Sequence, residues 1–243
     1  AWCWKAGGAA VSNTDGTVTS SVSANPAAGF SIVSYVVPSG SGYSVGHGLG
    51  AVPKLILAKN RDTDSNWDVY SAFIANTKRL KLNSTAAPET QPAWNNQTAT
   101  STVFYSLGGG SWHGVGSNMI NYVFCDVPGF SKSGSYNGNN ANDGTFIHLG
   151  FRPAWLLIKR IDSTRDWYIY DSTRSTFNQI EDFLEPSQLT AEQSSSTNAV
   201  DFVSNGFKFR NNSGDMNGSG TYIYMALAEQ PGFTPLDTFP NAR

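Results

Sequence analysis

The sequence predicts an all-β chain of two tandem, homologous, antiparallel β-sandwich-like modules of about 100 residues each, a usual domain size. Three observations carry this. The first is an internal repeat at an offset of 100 residues: Leu49, Gly50, Pro53, Leu57, Lys59, Asp62, Trp67 and Tyr70 recur as Leu149, Gly150, Pro153, Leu157, Lys159, Asp162, Trp167 and Tyr170. A repeat that long is one small unit used twice. The second is punctuation. Gly29-Phe30-Ser31 returns as Gly129-Phe130-Ser131, and Pro128-Gly129-Phe130 as Pro231-Gly232-Phe233. The third is composition: 14% charged and 13% aromatic residues with 24 glycines, which suits short strands joined by small-residue turns and is too apolar for disorder.

The elements follow in order. Residues 1–29 open on Trp2-Cys3-Trp4, read as the closing strand of a preceding module, and continue into a Gly/Ser/Thr/Asn linker. Module one spans 30–130 and module two 131–233. Residues 234–243, with Pro235 and Pro240, form an irregular tail. In each module a short apolar run starts at a proline (Pro53 to Lys59, Pro153 to Lys159), crosses a polar turn and returns through Trp67 to Tyr70 or Trp167 to Tyr170. Each pair reads as a β-hairpin. Val200 to Val203 and Phe207 to Arg210 flank Asn205-Gly206, a second hairpin signal. Tyr122 to Val127 and Tyr222 to Leu227 close their modules. The one helix-like stretch, Thr176 to Leu184, is expected to be no more than a single turn.

Net charge of −2 without a basic run argues against nucleic acid as a partner, and no stretch approaches the length of a membrane helix. Cys3 and Cys125 are read as buried thiols in preference to a disulfide. Four Asn-x-Ser/Thr sequons occur, at Asn83, Asn96, Asn211 and Asn217.

Asp62, Asp64, Asn66 and Asp68 place oxygen ligands at alternate positions, as a calcium loop does. The sixth and twelfth positions are Trp67 and Phe73 instead of Gly and Glu, so a polar hairpin turn is the preferred reading and calcium the only cofactor considered. His47, His113 and His148 lack partners at zinc spacing. Glu181, Asp182 and Glu185 cluster in one module only, and no nucleophile elbow or phosphate loop is read, so no catalytic residue is assigned. Aromatics are the better lead, because flat apolar faces beside directed polar groups suit sugar rings. Trp67/Trp167 and Tyr70/Tyr170 recur and are assigned to the framework. Residues that differ between modules, namely Trp112, Tyr168, Arg165, Asn140 and Asp143, are expected to be exposed and to contact ligand.

Ala1-Trp2-Cys3-Trp4-Lys5-Ala6-Gly7-Gly8, Gly46-His47-Gly48-Leu49-Gly50, Lys59-Asn60-Arg61-Asp62, Gly150-Phe151-Arg152-Pro153-Ala154, Ser204-Asn205-Gly206-Phe207-Lys208 and Tyr222-Ile223-Tyr224-Met225-Ala226 resemble repeated segments of virion proteins from marine bacteriophages. The resemblance implies a virion location and a structural role of the tail-fibre or receptor-binding kind, with capsid decoration as the alternative and a tail-borne glycan-degrading enzyme behind both. Its implied partners are other virion proteins, further copies of the chain and a host surface glycan. It implies no catalytic residues, and further modules before the Trp2-Cys3-Trp4 strand.

Overall fold

Alternating small, polar and apolar residues build the strands of the first unit. The computed structural model describes residues 3–108 and 113–229. The strands are β1 (Val11–Asn13), β2 (Ser20–Asn25), β3 (Phe30–Val36), β4 (Tyr43–Gly46), β5 (Leu55–Asn60), β6 (Asp68–Ser71), β7 (Lys78–Lys81), β8 (Glu89–Thr90), β9 (Val103–Ser106) and β10 (Asn118–Phe124). Eight form one antiparallel sheet in the order β1-β2-β3-β10-β5-β6-β7-β8, and β4 pairs with β9 in a two-stranded sheet. In β5 the inward residues are Ile56 and Ala58. They meet Val33, Tyr35, Met119 and Val123 from the same sheet and Val45 and Phe104 from the small one. Each fully buried aliphatic side chain here contributes about 1.5–3 kcal/mol through the hydrophobic effect.

The second unit repeats the plan. Its strands are β11 (Ser131–Asn137), β12 (Phe146–His148), β13 (Trp155–Arg160), β14 (Trp167–Asp171), β15 (Asp182–Leu184), β16 (Gln193–Ser194), β17 (Val200–Val203), β18 (Gly206–Phe209) and β19 (Thr221–Leu227). The large sheet runs β11-β19-β13-β14-β15-β16, the same order as β3-β10-β5-β6-β7-β8, and β12-β18-β17 form the small sheet. Leu156, Ile158, Tyr170 and Tyr222 pack with Phe202, Phe207 and Phe209 between the sheets. Tyr136 stacks on Tyr222 with ring centroids 4.8 Å apart. Gly29 (φ +62°) and Gly129 (φ +76°) turn the chain into β3 and β11 in a left-handed conformation that side chains resist, which explains the repeated Gly-Phe-Ser.

The all-β expectation and the hairpins hold: β5 pairs with β6, β13 with β14 and β17 with β18, all antiparallel. Three expectations need correction. Residues 11–25, expected as linker, instead carry strands β1 and β2. They belong to the first unit, where Val11 pairs with Val22 and Ser21 with Ser34, so small polar side chains serve at the edge of a sheet. Cys3 and Trp4 lie in irregular chain, Trp4 packing edge-on to Phe124 at 5.6 Å; Trp2 lies outside the described residues, as does the tail at 234–243. The stretch 176–184 ends in strand β15 instead of a helical turn, because Phe183 is needed opposite Tyr170. Backbone contacts also assign Ser84–Ala87 to the second unit, although the segment lies in the first repeat by sequence.

Candidate functional site

Strand pairing takes the calcium-like residues apart. Asp62 accepts hydrogen bonds from Asn118, at 2.6 Å from the backbone N–H and 3.1–3.2 Å from Nδ2. Asn66 accepts from Asn83 Nδ2 at 3.0 Å, and Asp64 is exposed. Asp68, first residue of β6, is buried. Among the described residues no three His, Cys, Asp or Glu side chains converge as a metal site needs.

Asp68 instead begins a polar network inside the first unit. Its Oδ1 accepts from Arg79 Nη1 at 2.9 Å, and Arg79 Nη2 lies 3.5 Å from Glu89, which also takes Lys81 at 2.7 Å. His113 Nε2 lies 3.7 Å from Asp68 Oδ2, while Nδ1 is 2.9 Å from Ser106 Oγ. A serine, a histidine and an aspartate in line invite comparison with a nucleophilic triad. Three features argue otherwise. All three side chains are sealed, at 0%, 2% and 1% exposure. The carboxylate is engaged by Arg79 in place of the imidazole. Burial, reinforced by the Arg79 charge, holds the imidazole down to about 4, which makes it a feeble base. Burial pushes Asp68 up to about 6 against the pull of Arg79. The network is a buried ion pair extended by Glu89 and Lys81.

The run Gly42-Tyr43-Ser44-Val45-Gly46 does fit the Gly-x-Ser-x-Gly pattern, contrary to the sequence expectation. An elbow needs its serine on a sharp strand-to-helix turn. Ser44 lies within β4, where its Oγ accepts from Thr17 N–H at 3.0 Å and its N–H donates to Thr17 Oγ1 at 2.9 Å.

The second unit gathers most of the residues expected to contact ligand. Asn139 to Asp143 are all exposed and lie against the loop 211–220. Asn217, fully buried, staples the two loops. Its Oδ1 accepts from the backbone of Asn139 and Thr145 at 3.2 Å each, and its Nδ2 donates to Asn139 Oδ1, Ala141 O and Asn211 O at 2.7, 3.0 and 2.8 Å. Arg160 fixes the far side of that loop, donating to Gly214 O at 2.7 Å and Ser219 O at 2.9 Å. Arg165 is exposed and pairs with Asp215 at 3.1 Å. Asp143 pairs with Lys208 at 2.8 Å with its side chain 86% exposed, and this pairing lowers its pKa. Lys208 lies opposite Phe146 in the small sheet, and the Phe146 ring is exposed.

Tyr168 corrects the expectation of exposure. It lies on the inner face of β14, 3% exposed, its ring 5.2 Å from Phe183, and burial raises its pKa. The reason is the pleat: Tyr168 and Tyr170 share the core face, leaving Trp167 on the other. Trp112 lies outside the described residues. Phe146, Asp215 and Asn217 went unread as site residues. The alternation Phe146-Ile147-His148 was the available signal for Phe146, whereas nothing local marks Asn217 beyond its sequon.

Other candidates settle into structure. His47 bonds Thr100 O at 3.2 Å and caps Leu49 N–H at 3.3 Å. Cys125 is buried, donates to Ala51 O at 3.1 Å and has its thiol pushed up to about 12 by burial; Cys3 is exposed and unbonded to it, so only one of the two thiols is buried. Asn211 and Asn217 are too buried to accept a glycan in the folded protein, whereas Asn83 and Asn96 are exposed.

A family model described as "Domain of unknown function (DUF7483)" matches residues 1–231. No curated protein and no solved structure matches the chain.

Proposed function

The chain belongs to the DUF7483 family, and from what its second unit presents we propose that it is a bacteriophage virion surface protein of the tail-fibre kind that binds a host surface glycan. The carrying observation is the outer face of the small sheet. There an exposed aromatic ring, Phe146, stands beside Lys208 and Asp143, with the Asn139–Asp143 loop held by Asn217. A sugar ring needs an apolar platform with fixed polar groups at its rim, and loops stapled before binding lose little entropy on binding. Repeated copies in a fibre multiply weak contacts into avidity. The resemblance of the Trp2-Cys3-Trp4 and Gly46-His47-Gly48-Leu49-Gly50 segments to marine phage virion proteins supports the virion location within this reading.

The test is a glycan array probed with the whole chain. A defined set of host-surface glycans should bind wild type, and Phe146→Ala should weaken binding about tenfold, one rim-exposed aromatic contact. Equal binding by Phe146→Ala and Asp143→Ala would sink the site. Immuno-gold label on tail fibres is expected; label spread over the head would favour decoration.

A further inference from the structure

The two repeats each carry a tongue and a notch, and among the described residues one such pair is engaged. Strand register fixes the equivalence. Leu80 opposite Val69 matches Leu184 opposite Ile169, and Glu89 opposite Arg79 matches Gln193 opposite Phe183. Counting along the chain, Asn83 then equals Ser187. The hydrogen bonds agree: Asn83 Oδ1 accepts from Trp67 N–H at 3.0 Å, and Ser187 Oγ accepts from Trp167 N–H at 3.1 Å. The segments that follow, Ser84–Ala87 and Gln188 to Ala191, are the same tongue, with Leu189 in the place of Thr85.

Ser84–Ala87 is engaged in the second unit. Thr85 O accepts from Lys159 Nζ at 2.9 Å and from Arg165 N–H at 3.0 Å, and Arg165 O is the other acceptor of the Lys159 ammonium. So covered, Lys159 is fully buried, and burial brings its pKa down to about 8. The equivalent notch in the first unit is Lys59 with Ser65. Lys59 Nζ donates to Ser65 O, as Lys159 does to Arg165 O. It also donates to Thr63 O at 3.2 Å where Lys159 takes Thr85 O, a bond within its own exposed loop that the incoming tongue carbonyl would replace. Lys59 is only half-buried and residues 61–64 are all exposed. The second tongue is exposed as well: Leu189 has its whole side chain in solvent. Yet the loop is held in shape by Gln188 N–H to Glu185 O at 3.0 Å and Gln193 Nε2 to Ala191 O at 2.9 Å.

We infer that the tongue Gln188 to Ala191 of one copy docks in the Lys59/Ser65 notch of a second copy, with Leu189 O accepting from Lys59 Nζ and Ser65 N–H. The occupant is another copy of this chain because the geometry is already made once within it, between Thr85 and Lys159 with Arg165. A tongue on one unit and a notch on the other give a head-to-tail contact, which propagates or closes into a ring instead of stopping at a two-fold dimer. The inference stands apart from the glycan reading and survives its failure.

Sedimentation of the full chain over a wide concentration range tests it. Wild type should gain mass with concentration, and Leu189→Asp should weaken that association by about tenfold or more, since the exposed tongue can change without touching the core. Lys59→Met, which keeps the stem and drops the ammonium, should do the same. Mixing decides between geometries: Leu189→Asp keeps its notch and Lys59→Met its tongue, so together they should form a 1:1 dimer and nothing larger. A wild type monomeric at every concentration overturns the inference. So does association that both variants leave unchanged, or a mixture that stays monomeric.

Discussion

Burial moves Asp68 and His113 in opposite directions, because it disfavours the anion of one and the cation of the other. The carboxyl goes from its ordinary 3.8 up to about 6, and the imidazole from 6.5 down to about 4. A raised carboxyl pKa gives stability that is full below 3.8 and lost as pH rises through 6. A lowered imidazole pKa gives stability that is full above 6.5 and lost as pH falls through 4. Between about pH 4 and 6 the two slopes cancel, so the pair adds little pH dependence to the intact protein. Splitting the pair should expose each slope. Relative to wild type, Asp68→Asn should gain stability as pH rises from 4 to 6, through His113 alone. His113→Gln should lose stability over the same range, through Asp68 alone. Each change should be about 2 kcal/mol, read by urea denaturation at a series of pH values. Parallel profiles for both variants would mean that the two groups do not titrate as burial dictates. None of this was legible in the sequence, where Asp68 read as part of a polar hairpin turn in preference to a calcium loop, and His113 as a histidine without partners at zinc spacing. Ion pairing across β6 and β7 is a matter of register, which the residue types of two four-residue strands do not specify.

At the scale of elements, hairpins were legible and their partners were not. The runs that became β5, β6, β13 and β14 announce themselves by a proline start, an apolar stretch and a polar turn. By contrast, β1 and β2 are made of Ser, Asn, Val and Ala, which local composition cannot tell from linker; only pairing with β3 makes them strands. The loops of the second unit show the same limit. Asn217 reads as a sequon, yet its side chain makes five hydrogen bonds that join the loop at 139–145 to the loop at 211–218. Asn217→Ala leaves buried backbone groups of both loops unpaired and should cost about 2–4 kcal/mol in chemical denaturation. Asn217→Asp should cost as much or more, because a carboxylate accepts only and cannot replace the Nδ2 donations. A change below 0.5 kcal/mol in either variant, within the range of ordinary surface substitutions, would show that the loops hold together without this staple.

Across the whole molecule, the chain runs one architecture with two different interiors. The offset of 100 residues exposed the repeat, and the shared six-strand order gives its physical meaning. Where the first unit buries Asp68 beside Arg79, the second buries Tyr168 beside Phe183 at the equivalent positions, 5.2 Å between rings. The same place between β6 and β7, or β14 and β15, accepts an ion pair or an aromatic pair. Buried ion pairs contribute little net stability, since desolvation offsets their attraction, but removing one partner strands a charge. Asp68→Tyr alone should therefore destabilise the first unit by about 3–5 kcal/mol, the cost of removing the buried carboxylate that the Arg79 guanidinium pairs with at 2.9 Å. Arg79→Phe alone should cost a similar amount through the orphaned Asp68 carboxylate. The double variant recreates the pair of the second unit and removes both charges at once, so it should be more stable than either single variant. A double-mutant cycle by chemical denaturation should return a coupling of about 2 kcal/mol or more in its favour. Additive losses would mean that the site around His113 and Ser106 has diverged too far to receive the aromatic pair, and that the ion pair is fixed by its own unit's packing.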